Sequence, residues 1–321
     1  MNYSDDAFVT MLLSMALSPN KEEYARPYST QELKRLEERV HKSSLFHIGK
    51  LMNVDISGLM FKLDISEEEA YRICVLLGRI MQLSYSIERF AEKGIEIATL
   101  DEEAYPHRLS ERLGEKAPPL LHYCGNREIA RGLSVAMIGS SGMRTGVAEA
   151  VHAVVTNAVS AGLTIVTGGK AGFDQLAEEE TAAQGGKYIC ALAESLSEKS
   201  LKPGVSEMIA SGRALLYSSF HPDAKYTLAH ALERNKCIYG LANAAIVLSC
   251  EKGRGGAWEG ACSALRNRFT ERVYVWENPD LPGNMELIAK GAMPFRDPEH
   301  LPLKQLAEQW ACPPVEQLSL F

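Results

Sequence analysis

The chain has 321 residues, 46% of them hydrophobic and 23% charged, a composition that excludes extensive disorder and leaves room for one large domain or two smaller ones. A formal net charge of -7 excludes a globally basic nucleic-acid binder, so any phosphate contact must be a local patch. No apolar run nears the roughly 20 residues that cross a bilayer, the opening MNYSDDAFVT is acidic where a secretion signal is basic, and the seven cysteines stand without a Cys-x-x-Cys pair, so the expectation is a cytoplasmic protein with reduced, mostly buried thiols.

The first hundred residues read as short helices: DDAFVTMLLSMAL, STQELKRLEERVHK, FHIGKLMNV and the long SEEEAYRICVLLGRIMQLSYSIERFAEKG. In the last, Ser66 and Glu69 have the spacing of a capping box, and Ala70, Ile73, Leu76, Leu77, Ile80 and Leu83 recur at helical spacing. This predicts a small helical domain over residues 1–94. A connecting stretch, IEIATLDEEAYPHRLSERLGEKAPPLLHYCGN, reads as two strands around Pro106, Pro118 and Pro119. From Ser134 the pattern becomes strands alternating with helices. The strands are VAMIG, LTIVT, YICAL, ALLYS, AAIVL and RVYVW, and VAEAVHAVVTNAVSAG and DQLAEEETAAQGG are among the helices between them. Such alternation predicts an α/β fold with a doubly wound, mostly parallel sheet over residues 95–298. Residues 299–321 read as a short helix, LPLKQLAEQW, and a tail.

Ligands of open parallel sheets bind outside the carboxyl ends of the strands. After the first, second, fourth and fifth strands of the alternating region come GSSGMRTG, TGGKAGFD, SSFHPD and SCEKGRGGAWEG. Glycine lets backbone N–H groups approach an anion, and a single cation completes a phosphate site. The candidate residues are Gly139, Ser140 and Arg144 in the first loop, Gly168, Gly169, Lys170 and Gly172 in the second, and Arg254, Gly255 and Gly256 in the last. For any one loop, the glycines serve equally well as shapers of a strand-to-helix turn. No loop ends in Gly-Lys-Ser/Thr and GSSGMRTG lacks G-x-G-x-x-G spacing, so neither a Walker A site nor a dinucleotide cofactor is expected. Arg234, Asn235 and Lys236 precede the AAIVL strand and read either as a phosphate-contacting group or as a charged helix end. Asp174 reads as a helix N-cap. Phe173, Phe220 and Trp258 read as core or rim packing before base-stacking partners. His152 and His230 have no ligand partners at metal spacing, and no metal is expected. Glu259, beside a glycine loop, has the setting of a general acid or base, or of a ribose contact, although surface glutamates are common on helices.

TGGKAGFDQLAEEETAAQGGKYICAL resembles the glycine-rich signature of the DNA-processing protein A family (DprA, also called Smf). LERNKCIYGLANAAIVL resembles that family's Arg-Asn motif, and YPHRLSERLGEKAPPLLHYCGN its upstream Tyr-Pro motif. The match runs in order from about residue 95 to 276. Lys170-Ala171-Gly172-Phe173-Asp174 stands where the family has Ala-Arg-Gly-Ile-Asp. The Gly253–Glu259 loop leans towards the glycine loop of the lysine-decarboxylase-like nucleotide phosphoribohydrolases, without reproducing it. The resemblance implies an extended Rossmann fold and a non-catalytic recombination mediator, commonly dimeric, that holds single-stranded DNA and helps load the RecA recombinase. Arg144, Lys170, Arg234 and Lys236 match or lie near the family's phosphate-contacting cations. A nucleotide-binding or nucleotide-cleaving enzyme centred on Glu259 is the alternative. The pathway stays open among natural transformation, plasmid maintenance, repair and phage defence.

The chain closes on Gln317-Leu318-Ser319-Leu320-Phe321 after Pro313-Pro314. This pentapeptide resembles the motif by which bacterial replication and repair proteins dock on the DNA polymerase sliding clamp. The resemblance implies that the leucines and the aromatic ring enter an apolar cleft from a short tether. Folding back onto the protein itself is the competing expectation.

Overall fold

The computed structural model describes residues 3–18, 24–142 and 144–311, and the clamp-like pentapeptide therefore lies outside the described residues. The chain groups into two compact units that cross the sequence order. One takes described residues within Met1–Gly125, with Leu192–Ile209 and Leu216–His230; the other takes those within Asn126–Ala191, Ala210–Leu215 and Ala231–Phe321.

Nine strands are present among the described residues: β1 (Ile95–Thr99), β2 (Leu120–Gly125), β3 (Ser134–Gly139), β4 (Thr164–Thr167), β5 (Tyr188–Ala191), β6 (Ala214–Ser218), β7 (Ala244–Ser249), β8 (Arg272–Trp276) and β9 (Met293–Phe295). In the first unit the order is β1-β2-β6, with β1 and β2 antiparallel in the register Ile97↔His122. In the second it is β6-β5-β4-β3-β7-β8-β9, β6 being shared between the units. Parallel pairing joins β5 to β4, β4 to β3, β3 to β7, β7 to β8 and β8 to β9. The chain is thus α/β with a mostly parallel sheet and an N-terminal helical part, as the alternation predicts. Strands β4, β5 and β7 are buried throughout, which is why they read as unbroken apolar runs rather than alternating ones.

In the first unit the helix Thr30–Lys42 opens with a reciprocal capping box between Ser29 and Glu32. The same Glu32 carboxylate pairs with Arg26 and Arg72, and Arg72 lies 4.0 Å over the Tyr28 ring. At Ser66 only half of the predicted box forms. The Ser66 hydroxyl accepts from the Glu69 amide at 3.2 Å, while the Glu69 carboxylate accepts from the Tyr28 hydroxyl instead. The long helix predicted over 66–94 is two helices, Glu67–Leu77 and Ile80–Glu92, broken at Gly78 and Arg79. The Arg79 side chain turns away to donate to the carbonyls of Leu12 and Met15. Ala70, Ile73, Leu76 and Leu83 are fully buried as their spacing predicts, whereas Ile80, at the start of the second helix, is 38% exposed.

No helix among the described residues is long and apolar enough to cross a membrane. The six described cysteines are unbridged thiols, and burial pushes Cys237 and Cys250 up to about 12.

Candidate functional site

Parallel pairing aligns the carboxyl ends of β3, β4, β5 and β7 along one edge of the second unit, and that edge carries the glycine loops. The loops are fastened to one another. The Ser140 amide donates to the Ser249 carbonyl at 2.9 Å, tying the β3 loop to the end of β7. Gly172, between β4 and the helix Phe173–Ala183, has φ +94, and a Cβ there would sit 2.7 Å from the Ser141 carbonyl oxygen. Only glycine permits both the backbone angle and the approach of the β4 loop to the β3 loop. Asn235, on the helix Leu228–Leu241, donates from Nδ2 to the Gly256 carbonyl at 3.1 Å, where the helix Gly256–Asn267 begins. Three turns separated in sequence thus form a single rim of main-chain groups.

The cations divide into two kinds. Lys170 and Arg144 are exposed, and the Arg144 Nη1 lies 3.4 Å from the Asp280 carbonyl oxygen. Arg254 is also open, its side chain 79% exposed, and pairs with Glu251. Lys236 is 13% exposed at its side chain and pairs with Glu233 on the preceding turn. Arg234, expected either at a phosphate or at a charged helix end, is internal. It is 7% exposed, and its Nη1 donates to the carbonyls of Gly168 and Ala191, the latter at 2.8 Å. A charge held this way joins the ends of β4 and β5 and is largely closed off from solvent.

Gly168 is shaped around this brace: a Cβ there would meet the Arg234 Nη1 at 1.9 Å and the Asp174 Oδ2 at 2.7 Å, so guanidinium and carboxylate converge above one glycine. Asp174 also accepts from the Lys170 amide at 3.2 Å. Its expected capping role becomes one of holding the loop that presents Lys170, while Gly172 occupies the N-cap position. Beneath the rim Glu178, 5% exposed, accepts from the Thr167 hydroxyl at 2.8 Å and from the Cys190 thiol at 3.2 Å, linking the last residue of β4 to the penultimate residue of β5. Sequence reasoning missed Glu178. The signal was available, since Phe173, Ala177 and Thr181 define the buried face of its helix and Glu178 borders that stripe.

Phe173 and Trp258 are core residues, 1% and 8% exposed, and present no ring to a ligand. Phe220 is half-buried and stacked on His230. His152 pairs with Glu180 at 2.7 Å. Glu259 is exposed on the first turn of the helix Gly256–Asn267, and its amide donates to the Gly255 carbonyl at 3.0 Å. Among the described residues no group of three or more His, Cys, Asp or Glu is placed to hold a metal ion.

Comparison with known proteins gives a family. The DNA recombination-mediator protein A profile matches residues 96–305, which include every rim loop. DNA processing protein A (DprA) from Streptococcus pneumoniae superposes with a TM-score of 0.59 at 21% identity, covering 88% of this chain and 98% of that one. The protein of the same name from Helicobacter pylori, whose structure concerns its single-stranded DNA binding mode, superposes with a TM-score of 0.55 at 20% identity, covering 68% and 97%. At such identities the superpositions speak to fold alone. No curated protein sequence matches the chain significantly. With its glycine loops at the expected strand ends and more than half of its length matched by the profile, the chain belongs to the DNA recombination-mediator protein A family.

Proposed function

We propose that the strand-end rim of the second unit binds the sugar-phosphate backbone of single-stranded DNA, and that the protein acts as a non-catalytic recombination mediator. The observation that carries this reading is the fastening of three glycine turns into one rim from which Arg144, Lys170 and Arg254 reach solvent. Glycine turns that let a backbone approach closely, and a few cations, suit a phosphodiester chain. They neutralise and orient phosphates, and they read no base, which a mediator acting on any sequence requires. Family membership supports the reading, as does the Helicobacter pylori relative, whose described subject is single-stranded DNA binding.

The brace beneath gives the rim its rigidity. Arg234 and Glu178 each join β4 to β5, so the Lys170 loop is ordered before DNA arrives and little conformational entropy is lost on binding. Fluorescence anisotropy with a labelled oligonucleotide, single-stranded or annealed to its complement, tests the proposal. Tighter binding of the single strand is expected, and equal or preferential binding of the duplex overturns it.

Two finer parts of the reading follow from resemblance. The mediator hands its strand to RecA as a homodimer, and Gln317-Leu318-Ser319-Leu320-Phe321 docks on the sliding clamp. Co-purification with RecA, sedimentation velocity and a clamp pull-down with residues 317–321 deleted test these in turn. A deletion variant that holds the clamp as well as the full chain removes the tail from the account.

A further inference from the structure

The loop that leaves β6, Ser219 to Thr227, takes no part in the phosphate rim, yet it is braced along its length within the first unit. The Phe220 amide donates to the Ser218 hydroxyl at 3.2 Å. The Pro222 carbonyl accepts from the Ser195 hydroxyl at 3.1 Å and from the Ser197 amide at 3.0 Å. His221 accepts from the Asp223 amide at 3.1 Å and packs edge-on against Phe90, and Asp223 pairs with Lys93 at 3.1 Å.

The far end of the loop is held by one residue. The His230 amide donates to the Thr227 hydroxyl at 3.0 Å, and His230 Nδ1 lies 3.2 Å from the Lys225 carbonyl oxygen, which makes Nδ1 the protonated nitrogen. Both neighbours of Tyr226 are therefore fixed to His230. That ring is fixed in turn by stacking on Phe220, with centroids 4.0 Å apart and planes 20° from parallel. Tyr226, its two neighbours held in this way, is 45% exposed, and Lys225 beside it is exposed as well. A solvent-exposed aromatic residue on a braced loop next to a cation matches the chemistry of base stacking, in which the ring covers a base's π-face and the cation attends the adjoining phosphate.

We propose that Tyr226, held by the Phe220–His230 stack, is a base-stacking residue for single-stranded DNA. The inference rests on the single-stranded DNA reading above and adds to it a site for bases rather than phosphates.

A thymidine 20-mer and an abasic 20-mer of equal phosphate count separate the two claims, with the wild type, Tyr226→Ala and Tyr226→Phe as the proteins. The wild type should bind the thymidine strand roughly 5- to 150-fold more tightly than the abasic one. Tyr226→Ala should bind both strands at the wild type's abasic level, with its salt dependence and melting temperature unchanged, and Tyr226→Phe should restore the preference. Equal wild-type affinity for the two strands overturns the stacking inference and leaves the phosphate rim standing, as does a preference that survives in Tyr226→Ala. Wild-type protein that binds neither strand removes the proposed function and this inference with it.

Discussion

Arg234→Ala distinguishes a brace from a phosphate contact. In the structure this side chain is 7% exposed and donates from one nitrogen to the carbonyls of Gly168 and Ala191. Truncation removes two charge-assisted hydrogen bonds, leaves two strand-end carbonyls short of a donor and opens a cavity under Gly168. Hydrogen bonds from a charged donor contribute about 1.5–3 kcal/mol each, with partial compensation by entering water, so a loss of about 3 kcal/mol is expected. At about 2.1 cal/mol/K of unfolding entropy per residue, that corresponds in a protein of this size to a fall in melting temperature of roughly 4–5 °C. Lysine at the position should recover only part of it, because an ammonium on a shorter reach replaces a planar fork. Calorimetry gives the stability, and anisotropy over a salt series gives the number of phosphates neutralised by the protein that remains folded. The account predicts a large stability loss with an unchanged salt slope at low temperature. A variant that melts like the wild type but loses about 0.7 of salt slope would place Arg234 on the DNA and refute the argument.

Gly172→Ala should be costly for its size, by about 1–3 kcal/mol, because φ +94 is unfavourable to an L side chain and the Ser141 carbonyl oxygen stands 2.7 Å from the new carbon; a melting temperature and DNA affinity within error of the wild type would deny the fastening of the two loops. His122 is fully buried beside Phe90 and His221, and burial first, then the His221 charge, push it down to about 3, while backbone at Ser218 and Phe220 offsets part of the effect. His221 is lowered too, mainly by burial, with Lys93 and Arg89 adding and Asp223 opposing. A depressed histidine contributes stability that is fully present above its unfolded value near 6.5 and is lost as pH falls towards the folded value. The wild type's melting temperature should therefore decline between about pH 6.5 and 4, with a shallower decline in His122→Phe; parallel curves would contradict this. Glu37 works in the opposite sense, raised to about 7 chiefly by burial, with Asp101 and Asp6 adding and Lys34 opposing. Its favourable contribution is complete below its unfolded value near 4.5 and lost as pH rises through 7, so Glu37→Gln should stabilise the protein at pH 8 and not at pH 4.

What the sequence disclosed follows from which forces are local. VAMIG and AAIVL read as strands because β3 and β7 are central and buried on both faces, so nothing interrupts their apolar runs. The glycine loops were legible because positive φ and close backbone approach demand glycine wherever they occur, as at Gly172. β9 (Met293–Phe295) was not legible, since three residues around Pro294, largely exposed, carry no alternation. The helix Ile56–Leu63 was missed because ISGLMFKL is apolar on nearly every side; its start is marked by Asp55, which caps the Gly58 amide at 2.9 Å. The single helix expected over 66–94 failed because the apolar spacing persists across Gly78, whereas the backbone leaves the helix at Arg79 (ψ 19), whose side chain is anchored on carbonyls more than sixty residues away in sequence. Arg234 shows the same limit at the candidate site. Next to Asn235 and Lys236 it looks like one more surface cation, and only the convergence of the ends of β4 and β5 on it makes it internal. Of the rim's expected cations, sequence gave the residue types, and tertiary packing decided which of them meet solvent.

The salt dependence of single-strand affinity tests the central claim most directly. With Arg144, Lys170 and Arg254 open to solvent, about three phosphates are neutralised, and log affinity should fall with log salt at a slope near -2, roughly an 18-fold loss between about 50 and 200 mM. In Arg144→Ala/Lys170→Ala the slope should shrink to about -0.7 and the loss to roughly threefold. A double variant whose slope equals the wild type's would contradict a phosphate-binding rim at these strand ends.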